Sequence, residues 1–176
     1  MREAEFRALI RDVPDFPEPG IVYKDITPLL ASPQALAAAV SALSEPFTGR
    51  RVTKVVGIEA RGFIFAAPIA YQLGAGFIPI RKAGKLPHHI HHQEYDLEYG
   101  KDRLEVHSDA AGAEDRVLIV DDVLATGGTG AASVRLIEGL GAEVIGFAVL
   151  VELGFLAGRE RLAGTDIHAV VHYGAD

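Results

Sequence analysis

Residues 117–129 read VLIVDDVLATGGT. A run of four apolar residues comes first, then two adjacent acids, two more apolar residues and Ala-Thr-Gly-Gly-Thr. A short, wholly apolar run bounded by turn residues reads as a strand buried on both faces of a parallel sheet. The strand is expected to end at Asp121-Asp122. The following glycines let backbone amides approach a ligand closely. A helix is expected at about 130–140, with Val134, Ile137 and Leu140 on one face, and its positive end points back at the loop. Ala125, Thr126, Gly127, Gly128 and Thr129 therefore suit a phosphate monoester, with two hydroxyls adding donors. Asp121 and Asp122 would repel that phosphate. They suit sugar hydroxyls or a hard divalent ion instead.

Outward from this loop the chain alternates. Strands are expected at 52–58, 77–80, 104–107, 144–153 and 167–172. Helices are expected at 63–73 and from Ser32-Pro33 to about Pro46, the latter opening on an N-cap and a first-turn proline. Such alternation indicates an open, mainly parallel twisted α/β sheet flanked by helices. Its ligands bind beyond the carboxyl ends of the strands, which singles out 59–62, 81–99 and 121–130. Ahead of the sheet, 13–30 holds Pro14, Pro17, Pro19 and Pro28 and reads as irregular but ordered, with one short strand at 21–23. Phe6, Leu9, Ile10 and Val13 have helical spacing before it. One domain is expected: a hood at about 1–32 and an α/β core at 33–176, with a lid at about 86–103.

With 176 residues, 49% of them hydrophobic, a full core is available. No cysteine is present, which excludes disulfides and thiolate metal sites. The formal net charge of -7 argues against nucleic acid and anionic membranes as partners. No apolar run is long enough to span a bilayer, and no targeting segment is visible, so a cytoplasmic location is expected. Taken globally, the charge also argues against an anionic ligand. Locally it does not, because Arg81, Lys82 and Lys85 fall within five residues and Arg61 adds a fourth cation.

The 117–129 segment resembles the phosphoribosyl-pyrophosphate motif of the type I phosphoribosyltransferases. FPEPGIVYKDITPLL at 16–30, EARGF at 59–63, RKAGKLP at 81–87, YDLEYGKDRLEVH at 95–107 and ATGGT at 125–129 resemble the adenine-using members of that family, in order and over nearly the whole chain. The resemblance implies transfer of a phosphoribosyl group from phosphoribosyl pyrophosphate to adenine with Mg²⁺, giving AMP and pyrophosphate. It implies that 125–129 hold the 5-phosphate and that Asp121 and Asp122 hold the ribose hydroxyls. It assigns the pyrophosphate to Glu59, Ala60, Arg61, Arg81, Lys82 and Lys85, with a non-proline cis peptide around Glu59-Ala60. Glu98 matches the family's acid/base residue, with Tyr99 beside it. Val22 matches the backbone contact to adenine, Lys24 a common basic position, and Phe16 and Ile21 could pack on the base. It also implies that the magnesium is bound mainly through the substrate and that the protein is a homodimer joined beside 59–65 and 81–87.

Other readings remain at this stage. A phosphoribosyltransferase for an oxopurine or uracil would keep the 117–129 motif but lack the EARGF, RKAGKLP and LEYG blocks. A non-catalytic phosphoribosyl-pyrophosphate sensor would need a DNA-binding extension and a basic recognition helix. A Walker loop is excluded, and Gly128-Thr129-Gly130 lacks the last glycine of a dinucleotide fingerprint. His88, His89, His91 and His92 hold four of the seven histidines. They are expected to be a solvated lid tip, open to adventitious nickel or zinc or to titration.

Overall fold

The elements in chain order are α1 (Glu3–Arg7), β1 (Arg11–Pro14), β2 (Val22–Asp25), α2 (Thr27–Leu30), α3 (Pro33–Ser44), β3 (Lys54–Ile58), α4 (Gly62–Leu73), β4 (Gly76–Lys82), β5 (Ile90–Asp96), β6 (Lys101–His107), β7 (Arg116–Leu124), α5 (Gly128–Glu138), β8 (Glu143–Leu153) and β9 (Ile167–Tyr173). They are taken from a computed structural model that describes residues 1–96 and 101–174. Seven strands form one sheet in the order β5-β6-β4-β3-β7-β8-β9, and β1 and β2 form a separate two-stranded sheet. The pairs from β4 through β9 are parallel, while β6 runs antiparallel to β4 and to β5.

The apolar pattern accounts for the layering. Val117, Leu118, Ile119 and Val120 are all fully buried, with alternate residues feeding two cores. One core holds Leu118 and Val120 with Phe47, Phe65 and Ile69. The other holds Val117 and Ile119 with Leu136, Ile137 and Phe147. The Ser32 hydroxyl accepts from the Ala35 amide at 3.3 Å and starts α3. Gly74, left-handed at φ +66, ends α4.

Between β3 and β7 the order of strands reverses. From β3 the chain moves to β4 on one side, and from β7 to β8 and β9 on the other. Such a switch point opens a crevice beyond the strand ends. Residues 59–61 and 121–129 border it.

Four expectations need correction. β7 does not end at the acids; it runs to Leu124, because β8 continues to pair with Asp121, Val123 and Leu124 after β3 has stopped. Arg81 and Lys82 do not lie beyond a strand end; they are the last residues of β4, paired with Glu105 and Leu104. Much of the supposed lid is not a loop, since 90–96 pairs along its whole length with 101–107. Its polar residues alternate with Tyr95, Leu104 and Val106, which are buried, so sparse apolar residues sufficed to anchor it. Finally, the helical spacing at 6–13 overstated α1. Residues 11–14 instead pair with 22–25, a tertiary pairing that local periodicity does not report.

Candidate active site

A cavity of about 460 Å³ occupies the crevice. Its floor is the end of β7, one wall is the 59–61 turn after β3, and its roof is the β1–β2 hood. Val22, Lys24, Glu59, Ala60, Arg61, Lys82, Asp121, Asp122, Ala125 and Thr129 all line it, so the fold gathers most of the expected residues. Thr126, Gly127 and Gly128 line an adjoining recess of about 90 Å³, which Asp121, Ala125 and Thr129 share. Arg81 and Lys85 stand behind the wall, held by Glu59. Glu98 and Tyr99 lie outside the described residues.

The recess is built by backbone. Gly127 is left-handed at φ +80 and caps α5, whose first residue is Gly128. Only glycine adopts this conformation without steric cost. The first amides of α5 have no partner within the helix and carry its positive end. An anion in the recess meets both.

The two acids differ. Asp122 is 5% exposed. Arg61 Nε lies 2.8 Å from Asp122 Oδ2 as an ion pair without hydrogen-bond alignment, and that oxygen is enclosed. Asp121 Oδ1 accepts from the Asp122 amide at 2.9 Å. Burial, and then the Asp122 carboxylate beside it, push Asp121 well above the usual carboxylate range. Burial also raises Asp122, against the pull of the Arg61 guanidinium. A buried acceptor without an aligned donor is costly, and the Arg61 charge beside it offsets part of that cost.

Arg61 joins three parts of the site. Besides Asp122, it donates to the Tyr23 hydroxyl and lies over that ring, 5.0 Å from its centroid. Tyr23 belongs to the hood, so Arg61 ties hood, turn and acid pair together. The expected cis peptide is present between Glu59 and Ala60.

Glu59 organises the remaining cations. Arg81 donates to it through Nε and Nη2, both at 3.2 Å, Lys85 through Nζ at 2.7 Å and Lys82 through its amide at 2.9 Å. Arg81 first, then Lys85 and the Lys82 amide, outweigh burial and lower the Glu59 carboxyl to about 2. A carboxylate held below its unfolded value stabilises the fold above the unfolded pKa and loses that contribution as pH falls toward the folded one. The loss therefore falls between pH 4.5 and about 2. Glu59→Gln should flatten the fall in stability across that window, as read from urea melts at stepped pH. An unchanged slope would show that the carboxylate gains nothing from its partners.

Lys82 Nζ donates to the Tyr95 hydroxyl at 2.9 Å and to Asp102. The Tyr95 hydroxyl also lies 3.4 Å from Thr129 Oγ1. Tyr95, Asp102, Tyr23 and Leu153 were not singled out in the sequence. Tyr95 and Asp102 stand in the YDLEYGKDRLEVH block, and Leu153 ends the apolar β8 run at the cavity, which was the one available signal. Phe16 is 51% exposed and packs edge-on against Tyr23, with ring centroids 5.2 Å apart. It does not line the cavity, whereas Ile21 does. His88, His89, His91 and His92 are exposed. Among the described residues no three His, Asp or Glu side chains are grouped to hold a metal.

Comparison with known proteins agrees with this geometry. The family model described as "Phosphoribosyl transferase domain" matches residues 22–171. The adenine phosphoribosyltransferase of Methylococcus capsulatus is 57% identical over 169 residues, covering 96% of this chain and 99% of that protein. Among solved structures, the adenine phosphoribosyltransferase of Rhodothermus marinus superposes with a TM-score of 0.92 at 53% identity, covering 97% of each chain. The Giardia lamblia enzyme, complexed with 9-deazaadenine, gives 0.93 at 40% identity, covering 99% of each chain.

Proposed function

The chain belongs to the phosphoribosyl transferase family, among its adenine phosphoribosyltransferases, and from that premise we propose which residues carry each part of the reaction. The enzyme transfers the 5-phosphoribosyl group of phosphoribosyl pyrophosphate to adenine, giving AMP and pyrophosphate, a purine-salvage step. The observation that carries the assignment of parts is the switch-point crevice itself. It brings an anion recess, an acid pair and the cations Arg61 and Lys82 together at adjoining cavities.

In this reading the 5-phosphate lies on Ala125, Thr126, Gly127, Gly128 and Thr129. Asp122 and Asp121, which both line the cavity, take the ribose hydroxyls. The pyrophosphate lies toward Ala60, Arg61 and Lys82, with Arg81 and Lys85 adding charge from behind Glu59. The reaction is substitution at the anomeric carbon. Pyrophosphate leaves as positive charge grows on the sugar, so the protein acts by alignment and by stabilising the leaving group. Glu98, with Tyr99 beside it in the 86–103 lid, takes the proton from the base.

Mg²⁺ fits this site as an ion carried on the substrate. The acid pair offers hard oxygen donors beside the ribose, but the described residues form no cage of their own. When bound, the ion neutralises charge on the departing pyrophosphate. A homodimer joined beside 59–65 and 81–87 is supported by partly exposed apolar residues at the start of α4 and of β4. Ile64 and Phe77 are 39% and 40% exposed, and the Phe77 ring packs edge-on against Phe63.

The hood would read the base. Pro14 stands opposite Val22 in the β1–β2 pair and has no N–H, so it cannot donate to the Val22 carbonyl. That carbonyl can accept from the six-amino group of adenine. Hypoxanthine and guanine present an oxygen there, and two acceptors would face each other. With phosphoribosyl pyrophosphate and Mg²⁺, turnover of hypoxanthine or guanine should fall below that of adenine by about 100-fold or more. Equal use of hypoxanthine would remove the hood from the reading.

A further inference from the structure

Beyond β8 the chain makes two short 3-10 turns, Gly154–Leu156 and Gly158–Leu162, before β9. This strap passes behind the phosphate recess, and the two meet at glycine. A Cβ on Gly158 would lie 2.2 Å from the Ala125 carbonyl oxygen and 3.1 Å from the Gly127 amide nitrogen. A Cβ on Gly127 would lie 2.3 Å from the Gly158 carbonyl oxygen. Neither residue can carry a side chain without separating the two backbones. Further along, Leu162 is 3% exposed, and a Cβ on Gly130, in the first turn of α5, would lie 3.2 Å from it.

An ion pair with a buried carboxylate and a half-exposed guanidinium holds the strap in place. Glu152, 6% exposed near the end of β8, accepts from Arg159 Nε at 2.6 Å and from Arg159 Nη2 at 2.7 Å. This is the bidentate fork geometry, the most directional ion pair available to a protein. Arg159 follows Gly158 directly, so the pair fixes the backbone that touches the recess. Neither Glu152 nor Arg159 lines the cavity or the recess, so neither is a ligand contact.

We propose that Arg159, clamped by Glu152, is a positioning residue for the 5-phosphate, acting through the Gly158–Gly127 contact to hold the 125–129 loop in its anion-binding shape. The inference rests on the assignment of that loop to the phosphate. Its physical basis is that loop amides bind an anion strongly only if they are already oriented before it arrives. A loop that moves by about 1 Å loses that alignment, at a cost of about 100-fold in rate.

The test compares AMP with adenosine, which differ only in the phosphate. Their affinities would be measured by calorimetric titration, alongside KM values for both substrates. Gly158→Ala should weaken AMP by about tenfold or more and raise KM for phosphoribosyl pyrophosphate in step, with adenosine affinity and KM for adenine within about threefold. Glu152→Gln/Arg159→Met removes both charges together, leaves no unpaired buried ion, and should act in the same direction more weakly. Arg159→Lys, which keeps the charge but not the fork, should fall between wild type and the double variant. Thr129→Ala separates the two levels of inference. If it weakens AMP while folded Gly158→Ala and the double variant do not, the loop binds phosphate and the strap does not position it. If none of them affects AMP, the assignment of the loop itself fails. A parallel loss of AMP and adenosine would make the strap a general structural element and overturn the proposal.

Discussion

Arg61→Ala should lower kcat/KM by about 10²–10³-fold, the range seen when one preorganised donor to developing negative charge is removed. The variant should also lose stability, most strongly at neutral and alkaline pH. The Arg61 guanidinium opposes the burial that raises Asp122. Without it the Asp122 pKa rises further. A carboxyl whose folded pKa lies above its unfolded value favours the fold when protonated and loses that advantage as pH rises through the folded pKa. The stability gap between wild type and Arg61→Ala should therefore widen with rising pH and narrow toward pH 4. Adding Asp122→Asn removes the stranded charge, so the double variant should recover stability without recovering turnover. That separation is the informative result: it would show that one side chain serves the fold through Asp122 and the reaction through the pyrophosphate. Turnover within threefold of wild type in Arg61→Ala would remove Arg61 from the catalytic assignment.

Gly127→Ala should cost about 10²-fold in kcat/KM for phosphoribosyl pyrophosphate. Two effects act together. The left-handed φ of +80 at Gly127 disfavours any Cβ, by about 1–2 kcal/mol. The new methyl would also lie 2.3 Å from the Gly158 carbonyl oxygen, a backbone atom that cannot rotate away. The loop must then shift, and the amides at the start of α5 lose their aim. KM for phosphoribosyl pyrophosphate is expected to rise more than KM for adenine, because the hood is built from a different part of the chain. If initial-rate measurements showed both KM values unchanged, the recess would not be where the phosphate binds.

Much of this site was legible in the sequence because its parts are contiguous. The anion recess is five consecutive residues, 125–129, and the acids immediately precede the last apolar pair of the same strand. Three of the four cations stand within five residues. Side-chain chemistry and local spacing suffice for features of that kind. The extent of β7 past Asp122 was not legible, because it depends on β8 outrunning β3 as a pairing partner. The strands at 90–96 and 101–107 were hidden for a related reason. Their polar outer faces are long and their buried residues few, so alternation was weak until pairing was seen.

The net charge of -7 argued globally against an anionic ligand. In the structure, cations collect at the cavity wall through contacts that composition does not encode. Glu59 draws Arg81 and Lys85 to one carboxylate from 22 and 26 residues away in the chain.

From the order of its residues alone, the chain determined an α/β sheet, the glycine-rich recess, the acid pair and the supply of cations. Each of these follows from neighbours along the backbone. Only the tertiary structure decided that Arg61 bridges Tyr23 and Asp122. It alone placed Gly158 against Gly127, with Arg159 paired to Glu152 beside the contact. The Arg61 and Gly127–Gly158 relations join residues 31 to 61 positions apart in the chain, and the Glu152–Arg159 pair, 7 apart, turns on the direction its side chains take. Both are set by packing rather than by local propensity.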